Sequence, residues 1–216
     1  MTPTLYYSPG ACSLAPHIVL EWIGKPYQAV QVDYHDPEYR KINPAGAVPA
    51  LDHGGVRPLT QCAAILNYLS IIHPSAGLLG GQSAEEAAEL VKWTAFFTGD
   101  LHPAFWPVFM PFRYTTSTDE AALDAVRQAG LALVRIKLAL LEEQLHGREW
   151  IVGDGRTFVD AYATPMLNWG ASMLPDALAQ YPSVSAHRER MLADPAVIRA
   201  MTAEGTYPPA DHAAKS

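Results

Sequence analysis

The chain has 216 residues, of which 49% are hydrophobic, so it can bury a substantial core in one or two domains. Its 15 Lys and Arg against 22 Asp and Glu give a formal net charge of -7, which disfavours nucleic acid and anionic membranes as partners. The sequence has only two cysteines, which predicts neither a disulfide scaffold nor a metal site. It has no apolar run of membrane-spanning length, and its N-terminus is unlike a secretory signal, so a cytoplasmic protein is expected.

Strands and helices alternate over the first third of the sequence. Thr4–Tyr7 predicts a strand that ends in the turn Ser8-Pro9-Gly10, and a helix is predicted over about Leu14–Trp22. The segments that follow are a strand at Tyr27–Val32, a hairpin turn at His53–Gly55, a strand at Val56–Leu59 and a helix at Thr60–Ile72. This order predicts an α/β domain over residues 1–74.

The remainder of the sequence predicts an all-helical domain over residues 83–206, which follows a linker at His73–Gly81. One helix is expected from Ala84 to Leu101. A long amphipathic helix is expected after Asp119, with an apolar stripe at Val126, Ala129, Leu133, Ile136 and Leu140. Thr157–Asp160 has the form of a capping box. Residues 207–216 predict a flexible tail.

Cys12 lies in the turn between the first strand and the first helix. Backbone N–H groups at a helix start favour an anion, so the thiolate of Cys12 is expected to be stabilised there, with Ser13 as a candidate donor. The alternative is that Cys12 is a small buried hydrophobic residue. Ala15 stands where a Cys-x-x-Cys motif would have its second cysteine, so disulfide exchange through Cys12 requires an external thiol.

Two further features carry alternatives that the residues leave open. Cys62 follows Gln61 at the start of a helix, where it either packs under the sheet or contacts a ligand, and its proximity to Cys12 is undecided. A cis bond at Val48-Pro49 would turn the backbone groups of Val48 outward to pair with an extended peptide. An ordinary trans proline at a strand start is the alternative.

Four segments, in this order, resemble the bacterial beta class of the glutathione transferase superfamily. They are Leu5–Leu14, which resembles the active-site loop, Asn43–Leu51, Leu59–Leu69 and the capping box Thr157–Tyr162. The resemblance covers the chain from Thr4 to about Thr206. It implies a thioredoxin-like N-terminal domain, an all-α C-terminal domain and usually a homodimer.

The resemblance also implies glutathione as co-substrate, held beside a pocket for a hydrophobic electrophile or a disulfide. Val48 would pair with the glutathione backbone ahead of a cis Pro49, and Gln61 and Cys62 would hold the γ-glutamyl end. Cys12 would lie at the glutathione sulfur, as hydrogen-bond donor or as partner in a mixed disulfide. The other residues that the resemblance implies are His102 near the thiol, His35 at the glycine carboxylate and Asp100 at the amino group.

Two departures from the class weaken the expected electrostatics of the pocket. Gln61-Cys62 replaces the usual Glu followed by Ser or Gly, and Pro103 replaces a Lys. Pro103 is also expected to bend its helix and shift His102 from helical geometry, and a histidine in such an apolar segment can be a core residue instead.

The predicted function is therefore conjugation of glutathione to hydrophobic electrophiles, thiol–disulfide exchange through Cys12, or both. One alternative is a glutathione-binding or regulatory protein with little catalysis. Another is a protein-interaction module of the same fold, since fold alone does not determine function.

Overall fold

The computed structural model describes residues 2–81 and 83–209. The N-terminal part comprises β1 (Thr4–Tyr7), α1 (Leu14–Ile23), β2 (Gln28–Gln31), α2 (Pro37–Ile42), β3 (Ala50–Asp52), β4 (Leu59–Thr60) and α3 (Cys62–Ile72). The strands form one sheet in the order β2-β1-β3-β4. β1 pairs with β2 in parallel, and β3 is antiparallel to both β1 and β4. The predicted α/β class of this part is confirmed.

Three details of the N-terminal part differ from the sequence-based predictions. The strand expected at Val56–Leu59 is wrong in position, because β4 begins at Leu59 and Val56 is fully exposed. α3 begins at Cys62 rather than Thr60, because Thr60 pairs with Ala50 in the sheet. The short helix α2 was not predicted, although Asp36 caps it by accepting a hydrogen bond from the N–H of Glu38.

The C-terminal part is helical in all its regular elements within the described residues. Its α-helices are α4 (Ala84–Phe96), α5 (His102–Phe109), α6 (Glu120–Leu145), α7 (Phe158–Met173), α8 (Pro182–Ala193) and α9 (Pro195–Ala203). A short 3-10 turn at Pro74–Ala76 lies in the segment that leads from the sheet to these helices. Of the predicted tail, residues 207–216, the part from residue 210 onward lies outside the described residues.

The helix predicted from Ala84 to Leu101 is present and continues without a non-helical residue to Phe109. A π-helical turn at Phe97–Leu101 separates α4 from α5. The predicted distortion of His102 is wrong, because its φ of -59° and ψ of -50° are ordinary helical values. Pro103 lies in the first turn of α5, which follows directly after the π-helical turn.

The long helix α6 is present, but the apolar stripe predicted for it does not form the core. The buried positions of α6 are Gly130, Val134, Leu138, Leu141 and Leu145. Leu133, Ile136 and Leu140 are instead exposed, at 46%, 57% and 47% of their surface. α6 therefore has two apolar faces, and the core takes only one of them.

The two parts of the molecule share one core, in which α7 is central. α7 is buried along most of its length and packs against α1 of the sheet domain. The capping box at its start is confirmed: Thr157 accepts a hydrogen bond from the N–H of Val159, and the Asp160 carboxylate accepts one from the N–H of Thr157. No helix within residues 2–81 and 83–209 is both long and apolar enough to cross a membrane.

Candidate active site

The loop from Ser8 to Ser13 connects β1 to α1 and carries Cys12. Ser13 is fully buried, and its hydroxyl donates to the carbonyl of Ser8 and accepts from the N–H of Ser8, at 3.2 and 3.1 Å. The hydroxyl of Ser13 therefore closes the loop and does not donate to Cys12. The backbone N–H of Ser13 is one of the donors that lower the pKa of Cys12.

Gly10 is held from both sides by the C-terminal domain. Its N–H donates to Glu204 Oε2 at 3.0 Å, and its carbonyl accepts from Trp169 Nε1 at 2.8 Å. The other carboxylate oxygen of Glu204 lies 2.9 Å from His17 Nδ1, and both side chains are buried. Because the φ of Gly10 is +69°, the loop adopts a conformation that residues with a side chain rarely take.

Sequence reasoning missed this clamp of Glu204, His17 and Trp169. His17 and Glu204 are separated by 187 positions, so no local pattern links them. The only signal was a polar side chain, His17, in the otherwise apolar first turns of α1. The clamp places the conformation of the loop under the control of residues in the second domain.

Cys12 is a partly exposed residue just before α1, and its thiol donates to the carbonyl of Val48 at 3.5 Å. A hydrogen bond from the Cys62 thiol, assisted by the backbone N–H groups of Cys12 and Ser13, lowers the pKa of Cys12. Partial burial and the negative charge of Glu204 act in the opposite direction. The lowered pKa increases the fraction of nucleophilic thiolate at neutral pH.

Cys62 is the first residue of α3 and is buried, with 5% of its surface exposed. Its thiol lies 3.5 Å from the carbonyl oxygen of Cys12, to which it donates. Burial and the adjacent Cys12 raise the pKa of Cys62 well above its ordinary value. The structure thus brings the two cysteines together and shifts the pKa values of their thiols in opposite directions.

The segment before Pro49 presents backbone next to Cys12. The Val48-Pro49 bond is cis, as expected from the resemblance. The carbonyl of Ala47 accepts from the hydroxyl of Tyr39 and from the side-chain amide of Asn43, each at 2.6 Å. These two bonds fix the chain direction into Val48, which is partly exposed.

Gln61 is exposed and lies immediately before α3. Its φ of +71° and ψ of +118° are rare for a residue with a side chain, and such backbone conformations concentrate at ligand sites. No hydrogen bond from the Gln61 side chain caps α3. The exposed side chain of Gln61 and its strained backbone therefore lie directly beside Cys62, at the edge of the site that contains Cys12.

His102 lies in an aromatic cluster on the helical side of the site. Its Nδ1 is 3.4 Å from the hydroxyl of Tyr162, and its ring packs on Trp169 and Trp106. Burial lowers the pKa of His102 from 6.5 to about 4, so the ring is neutral at pH 7. Tyr162, which sequence reasoning did not select, lies close enough to Cys62 and Cys12 for their charges to raise its phenol pKa further above the effect of burial.

Two predicted site residues lie apart from the cysteines in the contacts that the structure describes. The carboxylate of Asp100 pairs with Lys137 Nζ at 2.5 Å and borders a groove between α4 and α6. His35 is exposed in the turn between β2 and α2, where its N–H donates to Asp33. Within residues 2–81 and 83–209, no group of three or more His, Cys, Asp or Glu side chains is placed to hold a metal ion.

Comparison with known proteins places this geometry in a family. Residues 10–70 match the model of the glutathione S-transferase N-terminal domain, and residues 101–195 match that of the C-terminal domain. A glutathione S-transferase of Xanthomonas campestris, GST-4.5, is 40% identical over 93% of this chain and 98% of its own. The chain belongs to the glutathione S-transferase family.

Solved structures of the family agree with this assignment. The glutathione S-transferase of Xylella fastidiosa superposes with a TM-score of 0.85 at 36% identity, over 94% of this chain and 98% of its own. The bacterial beta-class enzyme of Sphingomonas chungbukensis superposes with a TM-score of 0.81 at 32% identity, over the same shares. The predicted transferase fold and the resemblance to the beta class are confirmed, and glutathione is the co-substrate of this glutathione transferase.

Proposed function

We propose that glutathione binds extended across the sheet domain, with its sulfur beside Cys12. The single observation that carries this proposal is that the thiol of the partly exposed residue Cys12, whose pKa is lowered, lies 3.5 Å from the Val48 carbonyl, next to the cis Pro49. An extended peptide can add its backbone to groups presented in this way. Gln61 and the start of α3 then receive the γ-glutamyl end.

The proposed chemistry starts from a thiolate in a fixed position. Helix-start N–H groups and the Cys62 thiol stabilise negative charge at Cys12, and the same donors act on a glutathione sulfur placed beside it. The glutathione thiolate attacks an electrophilic carbon and displaces its leaving group. When the electrophile is a disulfide, the Cys12 thiolate attacks one sulfur, and the other sulfur leaves as a thiolate.

The acceptor side of the site is aromatic. Trp169 packs edge-on against Phe105 and Phe109 and also contacts the ring of His102. Neutral His102 adds no charge to this wall, so it suits an apolar, aromatic electrophile. In this proposal His102 acts on the sulfurs only through Tyr162.

We further propose that the protein works as a cytoplasmic homodimer in detoxification of electrophiles. Leu140 on α6 lines the groove that Asp100 borders, and Leu133 and Ile136 on the same helix and Val91 on α4 are also exposed. Exposed apolar side chains on these two helices favour association with a second copy. In such a dimer Asp100, already paired with Lys137, faces the partner subunit.

Two assays on the purified protein test catalysis against binding alone. The protein is passed over immobilised glutathione and is then assayed with an activated aryl chloride and with a glutathione mixed disulfide. Retention on the column together with turnover of either substrate supports the transferase. Retention without turnover of either substrate contradicts it and supports a binding protein.

A further inference from the structure

The two cysteines of the chain come from different helices and meet at one point. Cys12 precedes α1 and Cys62 begins α3, fifty positions further along the chain. The Cys62 thiol donates to the Cys12 carbonyl at 3.5 Å, and the two side chains lie close enough for each to shift the pKa of the other. Both cysteines are free thiols in this structure. Cys62 therefore provides, from a distant position in the sequence, the second thiol that a Cys-x-x-Cys motif would have provided.

The environments of the two thiols suit different steps of disulfide exchange. Cys12 is partly exposed and can meet an incoming disulfide, whereas Cys62 is buried behind it. The attacking thiol of such a pair has to be accessible and ionised, while the second thiol has to reach only the first. Burial keeps Cys62 protonated and protects it from reagents in solution.

We propose that Cys62 is a resolving cysteine, which converts a mixed disulfide between Cys12 and glutathione into an internal Cys12–Cys62 disulfide. This inference rests on the proposed role of Cys12 at the glutathione sulfur. It assigns the protein a dithiol redox activity toward glutathione disulfides. It also gives the site an oxidised state, in which Cys12 no longer carries a thiol.

The reaction balances with glutathione disulfide as oxidant. The Cys12 thiolate attacks one sulfur of glutathione disulfide, the sulfur–sulfur bond breaks, and one glutathione thiolate leaves. The Cys62 sulfur then attacks Cys12 Sγ, the mixed disulfide breaks, and the second glutathione leaves with the proton of Cys62. Two electrons pass from the protein to the oxidant, and two glutathione molecules reverse the reaction.

A hydrogen-bonding role for Cys62 alone is the competing interpretation. Cys62→Ser keeps a donor toward the Cys12 carbonyl but has no sulfur, so it separates the two roles. Cys12→Ser is the matched variant that removes the attacking thiol. Mass spectrometry under non-reducing conditions reads the products directly and does not depend on turnover.

The experiment treats folded wild type and both variants with an excess of glutathione disulfide and follows the intact mass over time. Wild type should lose the mass of two hydrogen atoms, with a glutathione adduct only as an intermediate, and peptide mapping should locate the Cys12–Cys62 bond. Cys62→Ser should accumulate a lasting adduct at Cys12. Cys12→Ser should gain neither product.

The outcomes separate this inference from the proposed function. A lasting glutathione adduct on Cys12 of the wild type, without an internal disulfide, overturns the resolving role but leaves the role of Cys12 intact. If Cys12 is modified neither in wild type nor in Cys62→Ser, the resolving role of Cys62 and the covalent role of Cys12 are both overturned. Because the decisive measurement is made on wild type, a folding defect in a variant does not obscure it.

Discussion

The start of α1 and the start of α3 each carry a cysteine, and the comparison between them explains which thiol reacts. The loop at Cys12 is held by Glu204 and Trp169 of the C-terminal domain, and Cys12 is partly exposed. The turn at Gln61 instead leads into Cys62 in the buried core, where burial raises its pKa. A helix start alone therefore does not activate a thiol, since exposure and hydrogen-bond donors determine the outcome.

The largest expected effect comes from removing the reactive thiol. Cys12→Ala should reduce exchange with a glutathione mixed disulfide to the uncatalysed rate, because the Cys62 sulfur that remains is buried. Conjugation to an activated aryl chloride should survive, since the glutathione sulfur is the nucleophile there. Both rates are measured at saturating glutathione, and an unchanged exchange rate would contradict a covalent role for Cys12.

The second effect tests the clamp that distinguishes the two helix starts. Glu204→Ala leaves the Gly10 N–H and the His17 ring without their buried acceptor, which should lower the free energy of unfolding by about 3 kcal/mol, at ~1–3 kcal/mol for each unsatisfied group. Urea denaturation measures the loss. Glu189→Ala, at an exposed position of α8, should change stability little. Equal stability of the two variants would show that the clamp is dispensable.

The third effect concerns the acidity of the thiols. In the native protein, iodoacetamide should modify Cys12 with a pH midpoint below that of free glutathione, because hydrogen bonds from Cys62 and the helix start lower its pKa. Cys62 should remain unmodified until urea unfolds the chain. Peptide mapping after timed quenching distinguishes the sites, and rapid native labelling of Cys62 would refute the assigned asymmetry.

The smallest effect lies in the aromatic cluster around His102. Burial depresses the pKa of His102 from 6.5 to about 4, so the folded state binds this proton more weakly than the unfolded chain does. The contribution of neutral His102 is complete above pH 6.5 and is lost as the pH falls toward 4. His102→Phe should therefore lose less stability than wild type between pH 7 and 4.5 in urea denaturation. If the variant and wild type lose the same stability over this pH range, a group other than His102 is responsible for the pH dependence.

The sequence predicted the parts of the site that depend on local backbone. The turn at Ser8-Pro9-Gly10 and the capping box at Thr157 are encoded by adjacent residues and were identified on that basis, whereas the cis Val48-Pro49 bond was expected only from the family resemblance. The clamp on Gly10 was not, because Glu204 and Trp169 reach it across the domain boundary. Long-range polar contacts leave no periodic signal in a single sequence.

The error in the core face of α6 has its physical origin in an apolar surface that the chain leaves exposed. The stripe of α6 at Leu133, Ile136 and Leu140 has the spacing of a core face, yet it is exposed. Helical periodicity reports that a face is apolar and does not report which partner buries it. The closeness of Cys12 and Cys62 was likewise undecided in the sequence, because it depends on how α1 and α3 meet.

A crystal structure with bound glutathione tests the central claim most directly. We expect the tripeptide to lie extended along Val48, with its backbone paired to that residue, its γ-glutamyl end at Gln61 and its sulfur in contact with the Cys12 sulfur. Glutathione density in which the tripeptide sulfur points away from residue 12, or in which Val48 makes no backbone contact with the ligand, would contradict the account.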